Sequence, residues 1–572
     1  MYPASWNPRF PRPREDQYCT ESERLAASDR LMLKSASPQG AAIVEILKVK
    51  DIGFVNIFSN TQGRLGTHVF DLVLPPLGIT YLSAVLEREG YGVEIVDGNA
   101  ELLSDTELLQ RITGRFRIVG FYCHTQNYNK LLELCRILKK QDNPPLILIG
   151  GPHPTALPVE CLETGEAIDV AVFGEAELTI VELVAKLLAG ESLLGVKGVA
   201  YRDEDGRVVQ NAPREYVEDL DSLPMPAWHL LPIEKYHNFI EASGRSVLQI
   251  MGSRGCPIDC NYCFSTKIWS SNVRWHSPER VLAEVDYLRT RYGIQFFEFL
   301  DDNFTLRRER FKFLAAEFRK RRLRWCCSTR IDLIDDEIAA QLRDARVDHV
   351  CIGIETVNER LLDVVGKKIT KAEAIRTVLL CEKYGIQILG MFILGIPTET
   401  DEEAMETIEF ALKYRFYFAV FSHLTIYPGT NFWNKYRGSK ELATDFTQYD
   451  FSKRFNYFEP GRDLGRMYAM MKMAYLRFYT KPRILVYLVG LMLRNPKQLF
   501  QVAVALLMVL LNIVLRRRAP EPVGEGLPPA PILAVTGGSC GDVAQPTCKN
   551  AAHDDGGAPR SVPSGARTTG TE

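Results

Sequence analysis

The chain has 572 residues, 46% hydrophobic and 24% charged, which excludes a wholly disordered, collagenous or coiled-coil protein and suits roughly two to four domains. Lys plus Arg is 69 and Asp plus Glu is 71, so no global basic field points to nucleic acid and no excess acidity points to a solvating chain. Thirteen cysteines are too few for a disulfide scaffold, and the start MYPASWNPRFPRPRED lacks the apolar core of a signal peptide; a reducing, cytoplasmic setting is expected.

Residues 1–45 carry five prolines and no periodicity, and read as an extended lead-in. Residues 46–195 alternate short apolar runs with amphipathic segments. The predicted strands are Gly53–Phe58, Val93–Asp97, Ile118–Tyr122, Leu146–Ile149 and Val170–Phe173. Predicted helices include Gly78–Glu89, Asn129–Lys140 and Ala176–Leu188; in the first, Ile79, Leu82, Val85 and Leu86 make one apolar face. This alternation gives right-handed βαβ units, hence a doubly wound, Rossmann-like parallel sheet that binds ligands beyond its strand C-termini. The loops there are Ser59–His68, Gly98–Ala100, Cys123–Asn127, Gly150–Thr155 and Gly174–Glu177.

Residues 196–240 comprise a hairpin turning at Asp205-Gly206 and a Pro-rich connector at 219–232. A second βα series fills 241–440, with strands at Val247–Met251, Phe296–Leu300, Trp325–Ser328, His349–Ile354, Gln387–Leu394 and Ala419–Ile426. Ser277 caps the first intervening helix and Pro278 opens it. Six strands are too few for an eight-fold barrel and fit a partial, open (β/α)6 one of TIM type, with chemistry at the strand C-termini. Residues 441–518 are read as a helical C-terminal region, aromatic-rich over 441–483. Within it, Leu499–Leu515 is apolar on all sides, with Lys497 before and Arg516-Arg517-Arg518 after. Its seventeen residues are the lower limit for a bilayer span, so it is either a buried helix or a peripheral membrane contact. The Gly/Pro/Ala-rich tail 519–572, with Cys540 and Cys548, is expected to be disordered.

The decisive feature is Cys256, Cys260 and Cys263, spaced C-x3-C-x2-C just after an apolar strand. A loop can wrap three thiolates around one soft metal centre, whereas a strand would alternate their directions. Structural zinc needs a fourth ligand, and the nearest histidine, His276, is thirteen residues on. A [4Fe–4S] cluster with three Cys ligands leaves one iron open. Cys326, Cys327, Cys351 and Cys381 read as core residues.

At this loop the sequence resembles the radical S-adenosylmethionine (SAM) superfamily. The resemblance implies that the open iron chelates SAM, which one electron from a flavodoxin- or ferredoxin-like donor cleaves to a 5′-deoxyadenosyl radical. Tyr262 matches the aromatic position placed beside the adenine. Further matches are Leu300–Phe304, Ser328–Asp332, Gly353–Thr356, Gly390–Pro397 and Tyr427–Thr430, each at or along a predicted strand end. Among them Glu355 can accept hydrogen bonds from a ribose or an ammonium group, and Arg330 can pair with a carboxylate.

The sheet ahead of the barrel resembles the cobalamin-binding subclass at Pro75–Ala84, at Gly150-Gly151-Pro152-His153 and at Gly174-Glu175-Ala176-Glu177. Gly150, Gly151 and His153 are the positions implied for cobalamin; the alternative is an ordinary βα turn. The D-x-H-x-x-G motif is absent, and His68, His124 and His153 lie outside that pattern, so no cobalt ligand is named. Resemblance to the methylases of this subclass implies two uses of SAM, one as methyl donor to cobalamin and one as radical source, ending in methylation of an unactivated carbon of a small natural-product or lipid substrate. The rivals are a cyclase or oxidase with the same cofactors, a methylthiotransferase, whose extra cysteine triad would have to come from the scattered Cys123, Cys135 and Cys161, and a membrane-tethered cobalamin or SAM sensor.

Overall fold

The computed structural model describes residues 50–57, 73–236, 246–450 and 455–494. The lead-in 1–45, the loop Ser59–His68, the apolar segment Leu499–Leu515 and the tail with Cys540 and Cys548 lie outside the described residues. Among the described residues no helix is long and apolar enough to cross a membrane.

The first sheet contains β1 (Lys50–Asn56), β2 (Val93–Asp97), β3 (Phe116–Tyr122), β4 (Leu146–Gly150), β5 (Val170–Val172), β6 (Val199–Arg202) and β7 (Val208–Gln210). Their order is β2-β1-β3-β4-β5-β6-β7. The first five are parallel, and the hairpin β6–β7 adds antiparallel at one edge. Asp205-Gly206 makes the hairpin turn, with Gly206 at φ 78°. Side chains alternate between the faces. Ile52 and Phe54 pack toward the helices Leu77–Arg88 and Glu177–Ala189, while Val55, Val119 and Ile149 pack toward Asp105–Ile112, Tyr128–Leu138 and Pro158–Thr164. Helices on both faces make the sheet doubly wound, as its apolar runs require.

The second sheet contains β8 (Val247–Ile250), β11 (Phe296–Phe299), β12 (Arg324–Thr329), β13 (His349–Glu355), β14 (Ile388–Leu394) and β15 (Phe418–His423). All six are parallel, in the order β15-β14-β13-β12-β11-β8. Strands added one after another to an open parallel sheet fit the expected partial barrel. Between β8 and β11 lie β9 (Ser253–Arg254) and β10 (Arg274–Trp275), an antiparallel two-residue ladder that periodicity could not reveal. The expected cap is present: the Ser277 hydroxyl accepts from Arg280 N at 3.1 Å.

The connector 219–232 joins the two domains as expected and is packed along its length, whereas one expectation, at 441–483, needs correction. Trp228 is fully buried and donates to Glu284 Oε1 at 3.0 Å, and Tyr236 donates to Asp97 Oδ2 at 2.8 Å, so the segment is packed against both sheets' layers. The stretch 441–483 is only partly helical. Asp445 caps a single 3-10 turn at Phe446–Gln448, Leu442 bridges to Tyr457, and the long helix begins at Leu464, capped by Asp463. Its aromatic residues are divided between these turns and the helix, where Tyr468, Tyr475, Phe478 and Tyr479 lie.

The outer core of the second sheet is aromatic. Phe318 stacks on Phe299 at 4.9 Å and meets Trp325 edge-on at 5.1 Å. Phe318→Ala is expected to cost about 3–5 kcal/mol, because these rings cannot collapse into the space; a melting temperature within 1 °C or so of the parent's would contradict this packing.

Candidate active site

The cysteine loop is fixed from beneath before any ligand is considered. Asp301, fully buried just past β11, accepts from Gly252 N at 2.8 Å and from Ser253 Oγ at 2.6 Å. Arg310 holds the same turn by donating to Gly252 O at 2.9 Å. The β9–β10 ladder then closes the loop's base, and Gly255, at φ 108°, passes so near Ser270 O and Asn272 O that a side chain would collide.

On this base Cys256 and Cys263 are half-buried and Cys260 is buried, all as free thiols. Asn303 Nδ2 donates to Cys256 Sγ at 3.2 Å, and Ser265 N donates to Cys263 Sγ at 3.5 Å. Such donors favour the thiolate form. Burial first, then the neighbouring Asp302 and the other two sulfurs, push the Cys263 thiol up to about 12, so this sulfur needs a cation to bind as an anion. Among the described residues no three His, Cys, Asp or Glu side chains converge on one metal-ion position. His276 discriminates between zinc and a cluster: its Nδ1 pairs with Asp221 at 2.9 Å and its Nε2 meets Tyr81 Oη at 3.4 Å. Both ring nitrogens are engaged away from the loop, so His276 is no fourth zinc ligand. The donor set is three thiolates and suits a cluster with one open iron.

Glu355 and Arg330 sit beside this loop, together with a residue that the sequence reading missed. Lys367 Nζ donates to Glu355 Oε1 at 2.7 Å and approaches Tyr262 Oη at 3.4 Å; lysine and glutamate are both buried. Glu355 lies at φ 65°, where the β13–β14 register shifts between Gly353 and Glu355. A non-glycine residue held there costs about 1–3 kcal/mol, a strain that clusters at functional sites. Only the rule that a buried carboxylate needs a cation pointed to Lys367. Arg330 is buried and bonded to Asp332 at 2.9 Å and to Lys367 O at 3.0 Å. It braces the lysine's backbone, and its carboxylate partner is internal. The site therefore presents an ammonium, a carboxylate and a phenol next to the sulfurs.

At the first sheet the strand C-terminal loops face the barrel's last loop. Gln126 Nε2 donates to Tyr427 Oη at 3.2 Å. Gly151 lies at φ 118°, with Cys123 O too near to admit a Cβ, so the backbone turn itself requires this glycine. Gly150 would have ordinary room for one. His153 is buried, within 3.2 Å of Thr125 Oγ1 and 4.4 Å from the Tyr128 ring. Burial lowers His153 to about 3 and His124 to about 4, so both are neutral imidazoles at pH 7. Beside this loop is a cavity of about 230 Å³ lined by Tyr128, His153, Leu157, Cys161, Trp433 and Phe446 among others. Trp433 Nε1 is buried there without an acceptor among the described residues, which suits a bound organic group. His68 lies outside the described residues. Cys123, Cys135 and Cys161, scattered in sequence, share one apolar core, fully buried; burial drives the last two thiols up to about 12. They are packed hydrophobes.

Comparison with known proteins agrees with this geometry. Residues 250–411 match the Radical SAM superfamily, and residues 63–184 match the B12 binding domain. An uncharacterized methyltransferase of Pyrococcus horikoshii is 34% identical over 420 residues, covering 72% of this chain and 89% of that protein. The chain belongs to the cobalamin-binding radical SAM family. Its cofactors are a [4Fe–4S] cluster, SAM and cobalamin. The anaerobic magnesium-protoporphyrin IX monomethyl ester cyclase of Rubrivivax gelatinosus is 29% identical, covering 72% of this chain and 75% of that protein. The structure of the radical SAM methyltransferase TsrM from Kitasatospora setae, with cobalamin and cluster bound, shares the fold at a TM-score of 0.57 and 18% identity, covering 76% of this chain and 89% of that one.

Lys367→Met is expected to destabilise the cofactor-free chain by about 3–5 kcal/mol, because it leaves Glu355 buried and unpaired. Lys367→Met with Glu355→Gln should recover most of that. Equal melting temperatures for the single and double variants would rule out the pairing.

Proposed function

We infer that the enzyme is a C-methyltransferase acting on an unactivated carbon of a small, largely apolar substrate, a natural product or a lipid. The observation that carries this reading is the opposition of two sets of strand C-terminal loops, joined at Gln126–Tyr427, one set bearing the cysteine loop and the other the cobalamin-type sheet. When bound, the cluster and SAM supply a carbon-centred radical, and cobalamin supplies the methyl group. The protein's part is placement and exclusion of water. Cys256, Cys260 and Cys263 hold the cluster. Lys367 and Glu355 would offer a cation and an anion to the carboxylate and ribose of SAM, and Tyr262 would lie beside the adenine. Arg330 steadies Lys367 through its carbonyl. The Gly150-Gly151-Pro152-His153 turn would lie against cobalamin, and the cavity of about 230 Å³ beside it could take no more than a part of that group.

The reading of the substrate draws support from one face of the second sheet. Along β14 the residues alternate, with Ile388, Gly390, Phe392 and Leu394 buried and Leu389, Met391 and Ile393 half-buried. On the same face β15 presents Val420 and Ser422, β12 Ser328 and β11 Glu298, all half-buried. A face that is apolar at β14 and polar toward β11 suits a substrate with an apolar part and a polar part. An external flavodoxin- or ferredoxin-like donor supplies the electron, and the segment 499–515 provides a peripheral membrane contact.

The cyclase relative favours a second reading, the same cofactors without net methyl transfer. Product analysis separates the two. Methylation should yield 5′-deoxyadenosine and S-adenosylhomocysteine together, whereas deoxyadenosine alone would point to cyclisation or oxidation. Cys260→Ala is expected to lose the cluster's charge-transfer absorbance and all SAM cleavage; cleavage that persists would refute the ligand assignment. Asn303→Ala should lower the cluster's reduction potential, because a donor to sulfur favours the more negative reduced state. An unchanged potential in an EPR-monitored titration would show that the Asn303–Cys256 contact is not made in the loaded protein.

A further inference from the structure

The Gly174-Glu175-Ala176-Glu177 turn, matched above to the cobalamin-binding pattern, makes its strongest contacts elsewhere. Both carboxylates reach into the barrel domain. Glu175 takes Arg274 bidentately, at 2.5 and 2.8 Å, and Glu177 takes Arg254 at 2.6 Å. Arg254 Nη1 lies 3.4 Å from Glu175 Oε1 and joins the two pairs. All four side chains are at most 6% exposed. Two carboxylates balance two guanidiniums. Arg274 also donates to Val217 O at 2.8 Å and to Trp269 O at 3.0 Å. The Arg254 guanidinium lies between the rings of Tyr81 and Trp269, 5.2 and 5.0 Å from their centroids.

The place of these arginines decides the inference. Arg254 ends β9 and Arg274 begins β10, facing each other across the ladder that closes the cysteine loop. Arg254 stands two residues before Cys256. Stability alone does not account for the arrangement, since a buried ionic group is commonly no more stable than an apolar one of the same volume. What it does provide is geometry. A bidentate arginine–carboxylate pair fixes distance and angle together, which apolar packing does not.

We propose that Glu175 and Glu177 are positioning residues for the radical reaction: by gripping Arg274 and Arg254 they fix the cysteine loop relative to the cobalamin-binding sheet, and so set the separation between cluster and cobalt. This rests on the reading of the three cysteines as cluster ligands. The two carboxylates of the turn thus act on cobalamin chemistry through the cluster loop.

The separation can be read without turnover. Cobalamin in its Co(II) state and the reduced cluster are both paramagnetic, so their electron–electron dipolar coupling reports their distance. The unsubstituted holoenzyme should show one narrow coupling. Glu177→Gln with Arg254→Met removes a cation and an anion together and is expected to melt within a few degrees of the parent, with full iron and cobalamin content. Its distance distribution should be at least twice as broad. Arg274→Lys keeps the charge but loses the bidentate grip, and should broaden the distribution in the same way. A native, narrow coupling in both variants overturns the proposal. Failure of both to fold, or folding without cofactor uptake, overturns it in favour of a purely structural or binding role. Absence of either signal in the unsubstituted chain would instead remove the cofactor assignment itself.

Discussion

A reactive carbon radical tolerates little water and little slack, and both sheets are arranged around that constraint. The strands that deliver loops to the site, β1 to β5 in one sheet and all six in the other, run parallel to one another, so those loops leave at one end of their sheet. A chain that must hold two cofactors against one substrate can then close the space by turning two such sides toward each other. The contact from Gln126 to Tyr427 and the buried ionic quartet of Glu175, Glu177, Arg254 and Arg274 show where the sides meet.

The cysteine loop depends on this arrangement for its shape. Few residues of the loop itself carry regular structure, and its order comes from outside. Asp301 fixes its entry, the β9–β10 ladder its base, and Asn303 one of its sulfurs. Three consecutive residues past β11 thus serve the loop, since Asp302 also accepts from Ser265 Oγ at 2.5 Å. The strained Glu355 and its Lys367 partner make the opposite wall. A buried, oppositely charged pair beside the sulfurs suits a zwitterionic ligand, which needs one partner of each sign.

The parallel sheets were legible because buried parallel strands are short, largely apolar runs between helices. Val93–Asp97 emerged with the expected bounds although it carries Glu94 and Asp97, because its three apolar residues stand between two helical segments. The three cysteines were legible because spacing within a single loop is a local signal. Lys367 was not, because its meaning depends on Glu355, twelve residues earlier and bent into the left-handed region by a bulge. The ladder β9–β10 was not, because two-residue strands carry no periodicity. The ionic quartet joins positions almost a hundred residues apart, and nothing local marks Arg274 as the partner of Glu175. The aromatic richness of 441–483 misled in the other direction, since Phe446 and Tyr449 belong to a 3-10 turn and its end, and Phe455 packs on the helix through Tyr468 without being part of it.

The central claim is that three thiolates grip a cluster whose remaining iron is free for SAM. Mössbauer spectroscopy of anoxically reconstituted, iron-57-labelled protein, with and without SAM, tests it most directly. The expected result is about four irons per chain in one cluster, with one iron site shifting when SAM is added. Zinc at the loop, or four iron sites indifferent to SAM, would contradict the account.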